Sequence, residues 1–284
     1  MLTHHIGLVA ETDEISASEL TRASAALERQ LRRDFRPLWQ IDATVDAFVR
    51  LEDVPLGYWP VIVRDDIHDP GAAGVHLDRN GQPFALVQVS DQWTLTASHE
   101  VLEMSADPFG SRLIPSRSPK RRQGRVEFLV EVCDPCEAAE FSYHVNGVAV
   151  SDFYTPHYFE PAESTGVRYS FTGAIARPRQ VLKGGYLSWH DPVSDHWWQE
   201  TYFGSKPTYR DLGVIEKSAD SLRTEIDRRT PRPETLEDAL DPRFAAAART
   251  SLETHAEATA ARAEALREEV EELLAQAGAT ATRR

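Results

Sequence analysis

The sequence predicts an α+β fold, in which a mixed sheet that packs against a buried helix is followed by a C-terminal helical arm. The first part of the chain is patterned in the order strand, helix, strand, strand, strand, helix, and the next part consists mainly of short strands and turns. Beyond residue 233 the composition changes to Ala, Glu, Arg and Leu. We therefore divide the 284 residues into a domain over 1–215 and an arm over 216–284.

Composition restricts the partners and the location of the protein. The formal net charge is −14, and because an acidic surface repels phosphate groups, we expect no nucleic-acid partner. No stretch is long and apolar enough to span a bilayer, and the N-terminus lacks the pattern of a secretory signal. We therefore expect a cytoplasmic protein without a membrane partner.

The first half of the chain contains two helices that can be placed from local signals. Ser16 and Glu19 have capping-box spacing, which predicts a helix from Ser16 to about Phe35. Strands are predicted over 39–48, 61–63 and 84–89, with a loop over 65–83 that is rich in Asp, Gly and His. We interpret His76 in this loop as a solvated residue, with a position lining a cleft as the alternative. The second helix runs from about Trp93 to Ala106, because Asp107-Pro108 disfavours its continuation.

The second half reads as strands and turns. Residues 111–125 are predicted to be an exposed basic loop, and 125–132 are rich in strand-forming residues. Asn146-Gly147 between two apolar runs predicts a hairpin with a type I′ turn, and we expect further strands over 167–215.

The C-terminal arm has a heptad pattern. The apolar positions alternate four- and three-residue spacing over about three repeats, which is typical of a helix with one apolar seam. Two interpretations remain open: a helix that packs on its own domain, or an arm over 252–274 that forms a homo-oligomer or docks a partner. The seam consists of Leu252, Ala256, Thr259, Ala263, Leu266, Val270 and Leu273.

The second helix carries the residues that suggest chemistry. His99 and Glu103 are four residues apart, so their side chains lie on one helical face and can bind one cation. Glu100 lies about 100° further round the helix, where a general base would stand beside the cation. Zinc proteases usually have a second His at the position of Glu103; a carboxylate remains a suitable ligand, although its charge makes the metal less electrophilic.

The surroundings of this motif favour a metal site over an ordinary charged helix face. A helix that is apolar nearly all round is buried, and burying His99, Glu100 and Glu103 without partners would be unfavourable. A bound cation would remove this cost. The flanking apolar residues are Leu95, Ala97, Val101, Leu102 and Met104.

The order of the elements and the His-Glu-x-x-Glu helix resemble zincin-type zinc metallopeptidases. Residues 98–104 with 107–108, then 131–135 and 150–153, more closely resemble a largely uncharacterised bacterial family of predicted zincin-like metallopeptidases. The resemblance covers about residues 5–160. It implies a zincin-like fold, zinc as the cofactor, and strand 84–89 as the edge strand that binds an extended peptide.

A catalytic zinc ion usually has three protein ligands, so His99 and Glu103 need a third. Resemblance to the gluzincin branch implies Glu131 as this ligand and Asp134 as the carboxylate that orients His99. The spacing of the two is three residues here and four in that branch. His157, Asp152 and Glu137 are alternative ligands.

Cys133 and Cys136 are too few for a disulfide framework. A redox pair and half of a structural zinc site are conceivable for this spacing, but no second pair accompanies them. We interpret them as buried structural residues.

These features lead to two functional hypotheses. The first is a zinc-dependent metallopeptidase that hydrolyses a peptide or protein substrate, with Glu100 as the general base. The second is a catalytically weak or inactive binding or scaffold module derived from such an enzyme, with a structural metal or none. Iron or manganese is the alternative cofactor, because oxygen ligands suit harder cations.

Overall fold

Two five-stranded sheets and a two-stranded ribbon build the described part of the chain, which confirms the α+β class. The computed structural model describes residues 3–69, 71–216 and 221–230. The heptad pattern over 252–274 lies outside these residues. Within them, no helix has the length and apolarity that crossing a bilayer would require.

The first sheet is mixed and contains the strands β1 (Thr3–Glu11), β2 (Asp42–Phe48), β3 (Trp59–Arg64), β4 (Gly74–Arg79) and β5 (Gln82–Gln88). Their order in the sheet is β2-β1-β3-β5-β4. The first four in the sheet order are parallel, and β4 pairs antiparallel with β5. The predicted edge strand was therefore wrong: β5 is paired on both sides, and β4 forms the edge.

Strand β4 lies within the segment that was predicted to be a loop. It forms a hairpin with β5 through Asn80 and Gly81, whose φ angles are 53° and 80°. These left-handed conformations are the ones that a type I′ turn needs. The prediction for His76 was also wrong, because this residue lies inside β4 with only 1% of its surface exposed.

The helices α1 (Ala17–Arg29) and α3 (Trp93–Ala106) share one core with the first sheet. The predicted capping box of Ser16 and Glu19 is present. The chain then continues through a π-helical turn, Gln30–Phe35, into the short α2 (Arg36–Trp39). The end of α3 before Asp107 is as predicted.

The strands of the second half are β6 (Leu113–Arg117), β7 (Arg125–Leu129), β8 (Tyr143–Val145), β9 (Val148–Val150), β10 (Tyr186–Asp191), β11 (His196–Thr201) and β12 (Thr208–Gly213). The second sheet is antiparallel throughout, in the order β12-β11-β10-β7-β6, and β8 and β9 form the two-stranded ribbon. The predicted Asn146-Gly147 hairpin and the strands within 167–215 are confirmed. The basic segment was only partly a loop, because it contains β6.

The helix α4 (Leu222–Asp227), the last one among the described residues, packs against the second sheet. Ile226 is buried in a small cluster with Leu129, Trp197 and Leu212. The backbone N–H of Arg223 donates to the carbonyl of Gly110, just after α3. This docking carries the side chain of Arg223 to the residues of α3.

Candidate metal centre

Helix α3 holds its polar residues in the interior because a buried network fixes its position. Ser98 Oγ donates to Gln30 Oε1 and accepts from the backbone N–H of Ser151. Gln30 Nε2 in turn donates to the carbonyl of Ser151. These bonds connect the π-helical turn, α3 and Ser151, the residue that follows β9, so α3 cannot rotate without breaking them.

The ring of His99 faces two carboxylates. Its Nε2 atom lies 3.2 Å from Glu103 Oε2 and 3.3 Å from Asp134 Oδ1. Two ligand atoms of a tetrahedral zinc ion lie roughly 3.4 Å apart. Both carboxylate oxygens are buried and accept no hydrogen bond of ordinary geometry among the described residues, although Glu103 Oε2 also lies 3.1 Å from Arg223 Nη2. The spacing and the unsatisfied oxygens fit a shared cation.

The chain after β7 presents Asp134 to this point. The backbone N–H of Cys133 donates to Glu103 Oε1, which ties the turn to α3. On its other side the turn packs against Gly185, where an added Cβ would lie 2.4 Å from the carbonyl oxygen of Asp134. A side chain at position 185 would therefore clash with the backbone of this turn and displace it.

Glu131 has a different environment from the one that the sequence suggested. It is buried with Glu103 and Asp134, and the three could hold one ion. Its Oε2 atom, however, lies 3.3 Å from Arg223 Nη1. Asp134 contacts the same nitrogen of His99 that Glu103 contacts, whereas a carboxylate that only oriented the ring would approach the other nitrogen.

Glu100 faces both the cleft and the edge strand. Its Oε2 atom lies 3.4 Å from His76 Nδ1 and 3.7 Å from Arg223 Nη2. An added Cβ on Gly74 would lie 2.7 Å from Glu100 Oε1. The backbone at the start of β4 therefore passes directly beside the carboxylate that was predicted to be the base.

Arg223 is a buried cation among these carboxylates. Its Nη2 atom is 3.1 Å from Glu103 Oε2, and its Nε atom is 3.3 Å from Asp227 Oδ2. Its Nη1 atom lies 2.9 Å from His76 Nε2. A buried ion pair stabilises only when its geometry is good and further hydrogen bonds are made, and Arg223 has several anionic neighbours.

Burial and charge repulsion dominate the electrostatics of the site. Burial raises the pKa of Glu100, Glu131 and Asp134 well above the usual range, and the charge of Glu103 raises the pKa of each further. Burial alone would lower the pKa of His99, but the charges of Glu103 and Glu100 and the interactions with Asp134 and Glu103 together outweigh it and raise that pKa well above its usual value. So many carboxylates cannot all be ionised together without added positive charge, which a divalent cation would supply.

The remaining candidates divide between the site and other parts of the protein. Glu137 lies near His99 and Asp134, and burial raises its pKa to about 7. His157 pairs with Glu160 at the surface, and Asp152 accepts hydrogen bonds from Thr172, so neither takes part in the site. Both cysteines are buried, as predicted.

A cleft of about 340 Å³ opens onto the centre. One wall is the backbone of residues 71–75 at the edge strand, and the floor includes His99, Glu100 and Asp134. Aromatic side chains of Tyr186 and Phe203 lie on another side. The cleft is large enough for a few residues of an extended peptide.

Sequence patterns missed two residues of this site. The Asn80-Gly81 turn signal could have revealed β4, and with it the burial of His76. No local pattern marks Arg223, because α4 has only six residues and its docking depends on distant contacts.

Comparisons with protein-family models, with curated proteins and with solved structures give no match for this chain.

Proposed function

We propose that the protein is a zincin-like, metal-dependent peptidase whose metal ligands are His99, Glu103 and Asp134. The observation that carries this proposal is the distance of His99 Nε2 from two buried carboxylate oxygens, which is 3.2 Å to Glu103 Oε2 and 3.3 Å to Asp134 Oδ1. In this ligand set Asp134 replaces Glu131, because Asp134 Oδ1 lies 3.3 Å from the ring nitrogen of His99 that also faces Glu103. Three protein ligands would leave room for water or substrate.

Two further features support hydrolysis of a peptide. Glu100 lines the cleft next to His99, where its carboxylate can take a proton from an attacking water and pass it to the leaving amine. Strand β4 forms the edge of the first sheet and borders the cleft, so its backbone can pair with an extended substrate. We therefore assign peptide binding to β4.

A bound zinc ion would polarise the scissile carbonyl and lower the pKa of a water molecule. The charge of two carboxylate ligands reduces both effects compared with a site that has more imidazoles. We expect modest turnover for this reason. The same oxygen-rich ligand set leaves iron and manganese as alternative cofactors.

Metal content tests the ligand set directly. Elemental mass spectrometry of protein purified without chelator should find about one metal ion per chain in the wild type. His99→Ala and Asp134→Ala should lose it, whereas Glu131→Gln should retain it. Loss of metal from Glu131→Gln with retention in Asp134→Ala would restore the original assignment of Glu131. The identity of the metal comes from the same spectra.

The second candidate function is a binding or scaffold module with a structural metal or none. Arg223 favours it, because a buried guanidinium already pairs with Glu100 and Glu103. Incubation of the metal-loaded protein with a broad peptide library separates the two functions. Cleavage at defined positions supports the peptidase, and a stoichiometric metal without any cleavage supports the module.

A further inference from the structure

Two sets of ligand atoms meet at Glu103. One set is formed with His99 and Asp134, the proposed metal centre. The other set is formed with His76 and Glu100, whose ligand atoms and that of Glu103 lie within 4.8 Å of one another. The pocket of His76, Glu100 and Glu103, which we call the second pocket, has the donor set of a second metal site.

The buried donor atoms of the second pocket favour a bound cation. His76 Nδ1 and Glu100 Oε2 are both buried and have no hydrogen-bond partner among the described residues. His76 Nδ1 is 3.4 Å from Glu100 Oε2 and 3.8 Å from Glu103 Oε2. Because Glu103 Oε2 also lies 3.2 Å from His99 Nε2, the arrangement resembles two cation sites that share a carboxylate.

Arg223 already provides the charge for the second pocket. Its Nη2 atom contacts the facing oxygens of Glu103 and Glu100, and its Nη1 atom contacts His76 from the other side of the ring. A divalent cation bound there would be close to the guanidinium, so repulsion would oppose it. The guanidinium remains charged at any physiological pH.

The docking of α4 fixes the guanidinium of Arg223 in this position. The backbone N–H of Arg223 donates to Gly110, where an added Cβ would lie 2.9 Å from Arg223 Cβ. Ile226 on the same helix is buried against the second sheet. The backbone after α3 thus leaves room for α4 only because position 110 is a glycine. Arg223 cannot move away from α3 unless α4 undocks.

We infer that Arg223 takes the place of a second metal ion, so that the centre binds one divalent cation and Glu100 stays a base and does not become a ligand. This inference rests on the proposed function, because it presumes that His99, Glu103 and Asp134 hold the first ion. It assigns Arg223 as a positioning residue that sets the number of metal ions.

The test is the stoichiometry of zinc binding, measured by titration calorimetry and by elemental analysis after dialysis against free zinc. The wild type should bind one ion per chain, and Arg223→Gln should bind two. The double variant Arg223→Gln/His76→Gln should return to one. Arg228→Gln, which removes the same charge from an exposed pair with Glu225, is the matched control and should bind one.

Variants that keep the positive charge at position 223 distinguish the effect of this charge from a folding defect. Arg223→Lys should bind one ion, and His76→Gln alone should leave one ion bound with affinity within a few-fold of wild type. Circular dichroism verifies the fold of each variant. Two ions in the wild type, or one ion in a folded Arg223→Gln, would overturn the role of Arg223 while leaving the peptidase proposal intact. No ion in any variant would remove the proposed metal centre itself.

Discussion

Glu100 and Glu103 lie one helical turn apart on α3 and yet have different neighbours. Glu103 accepts a hydrogen bond from the backbone N–H of Cys133 and faces His99, whereas Glu100 borders the cleft beside the backbone of Gly74. Both are buried carboxylates, so burial alone does not distinguish their roles. Their neighbours make Glu103 suitable as a ligand and Glu100 suitable as a base.

Replacement of Glu100 tests this division of roles. Glu100→Gln should reduce peptide cleavage by on the order of 10²–10⁴-fold, because an amide cannot accept the proton of the attacking water. Metal content should stay near that of the wild type, since Glu100 is outside the proposed ligand set. Cleavage is followed by mass spectrometry of a peptide library, with metal analysis of the same samples.

Glu140→Gln is a suitable control for that substitution, because Glu140 is exposed in a turn near the cleft. It should change neither cleavage nor metal content. Full activity in Glu100→Gln would rule out the proposed base. Loss of metal together with activity would instead show that Glu100 is a ligand.

At the scale of elements, the hairpin of β4 and β5 decides how the cleft is built. The hairpin places β4 at the edge of the sheet, buries His76 and brings Gly74 against Glu100. All of this depends on a two-residue turn. A less favourable turn residue should therefore weaken the wall of the cleft and the sheet together.

Gly81→Ala should lower the free energy of unfolding by about 1 kcal/mol, because Gly81 has a φ of 80° that residues with a Cβ adopt with strain. Urea denaturation measures the change. Gly204→Ala is the control: Gly204 is equally exposed, has no contact within 4 Å of an added Cβ, and has no left-handed φ. Equal stability of the two variants would contradict the importance of this turn.

At the scale of the whole molecule, buried carboxylates make stability depend on pH. Glu200 on β11 is distant in sequence from α3 and is buried in the second sheet. Burial raises its pKa to about 7, and the charge of Arg177 offsets only part of that effect. The folded protein thus holds this proton over a pH range in which the unfolded chain has already released it.

The pKa of Glu200 in the folded state is above that in the unfolded state, so its contribution to stability is present at low pH and is lost as pH rises toward 7. Between pH 4.5 and pH 7.5 the titration of Glu200 lowers the free energy of unfolding by roughly 2–3 kcal/mol, and Glu200→Gln should remove this decrease. Urea denaturation at several pH values compares the slopes. Parallel curves for wild type and variant would show that Glu200 does not titrate in this range.

Local patterns predicted the elements that depend on neighbours along the chain. The capping box at Ser16, the end of α3 before Asp107 and the turn at Asn146-Gly147 are each encoded within about four residues, and all three are present. The same local logic could have found the Asn80-Gly81 turn. Without it, the chain around His76 was taken as a loop and the wrong strand as the edge.

The sequence by itself determined that His99, Glu100 and Glu103 share one buried helix, because helical spacing and apolar flanks are local properties. Only the tertiary structure decided which residues meet them. Asp134 reaches His99 through a turn held by Cys133 and Gly185, and Arg223 reaches Glu103 through the docking of α4. These contacts join residues that are 30 or more positions apart, where spacing along the chain carries no information about distance in space.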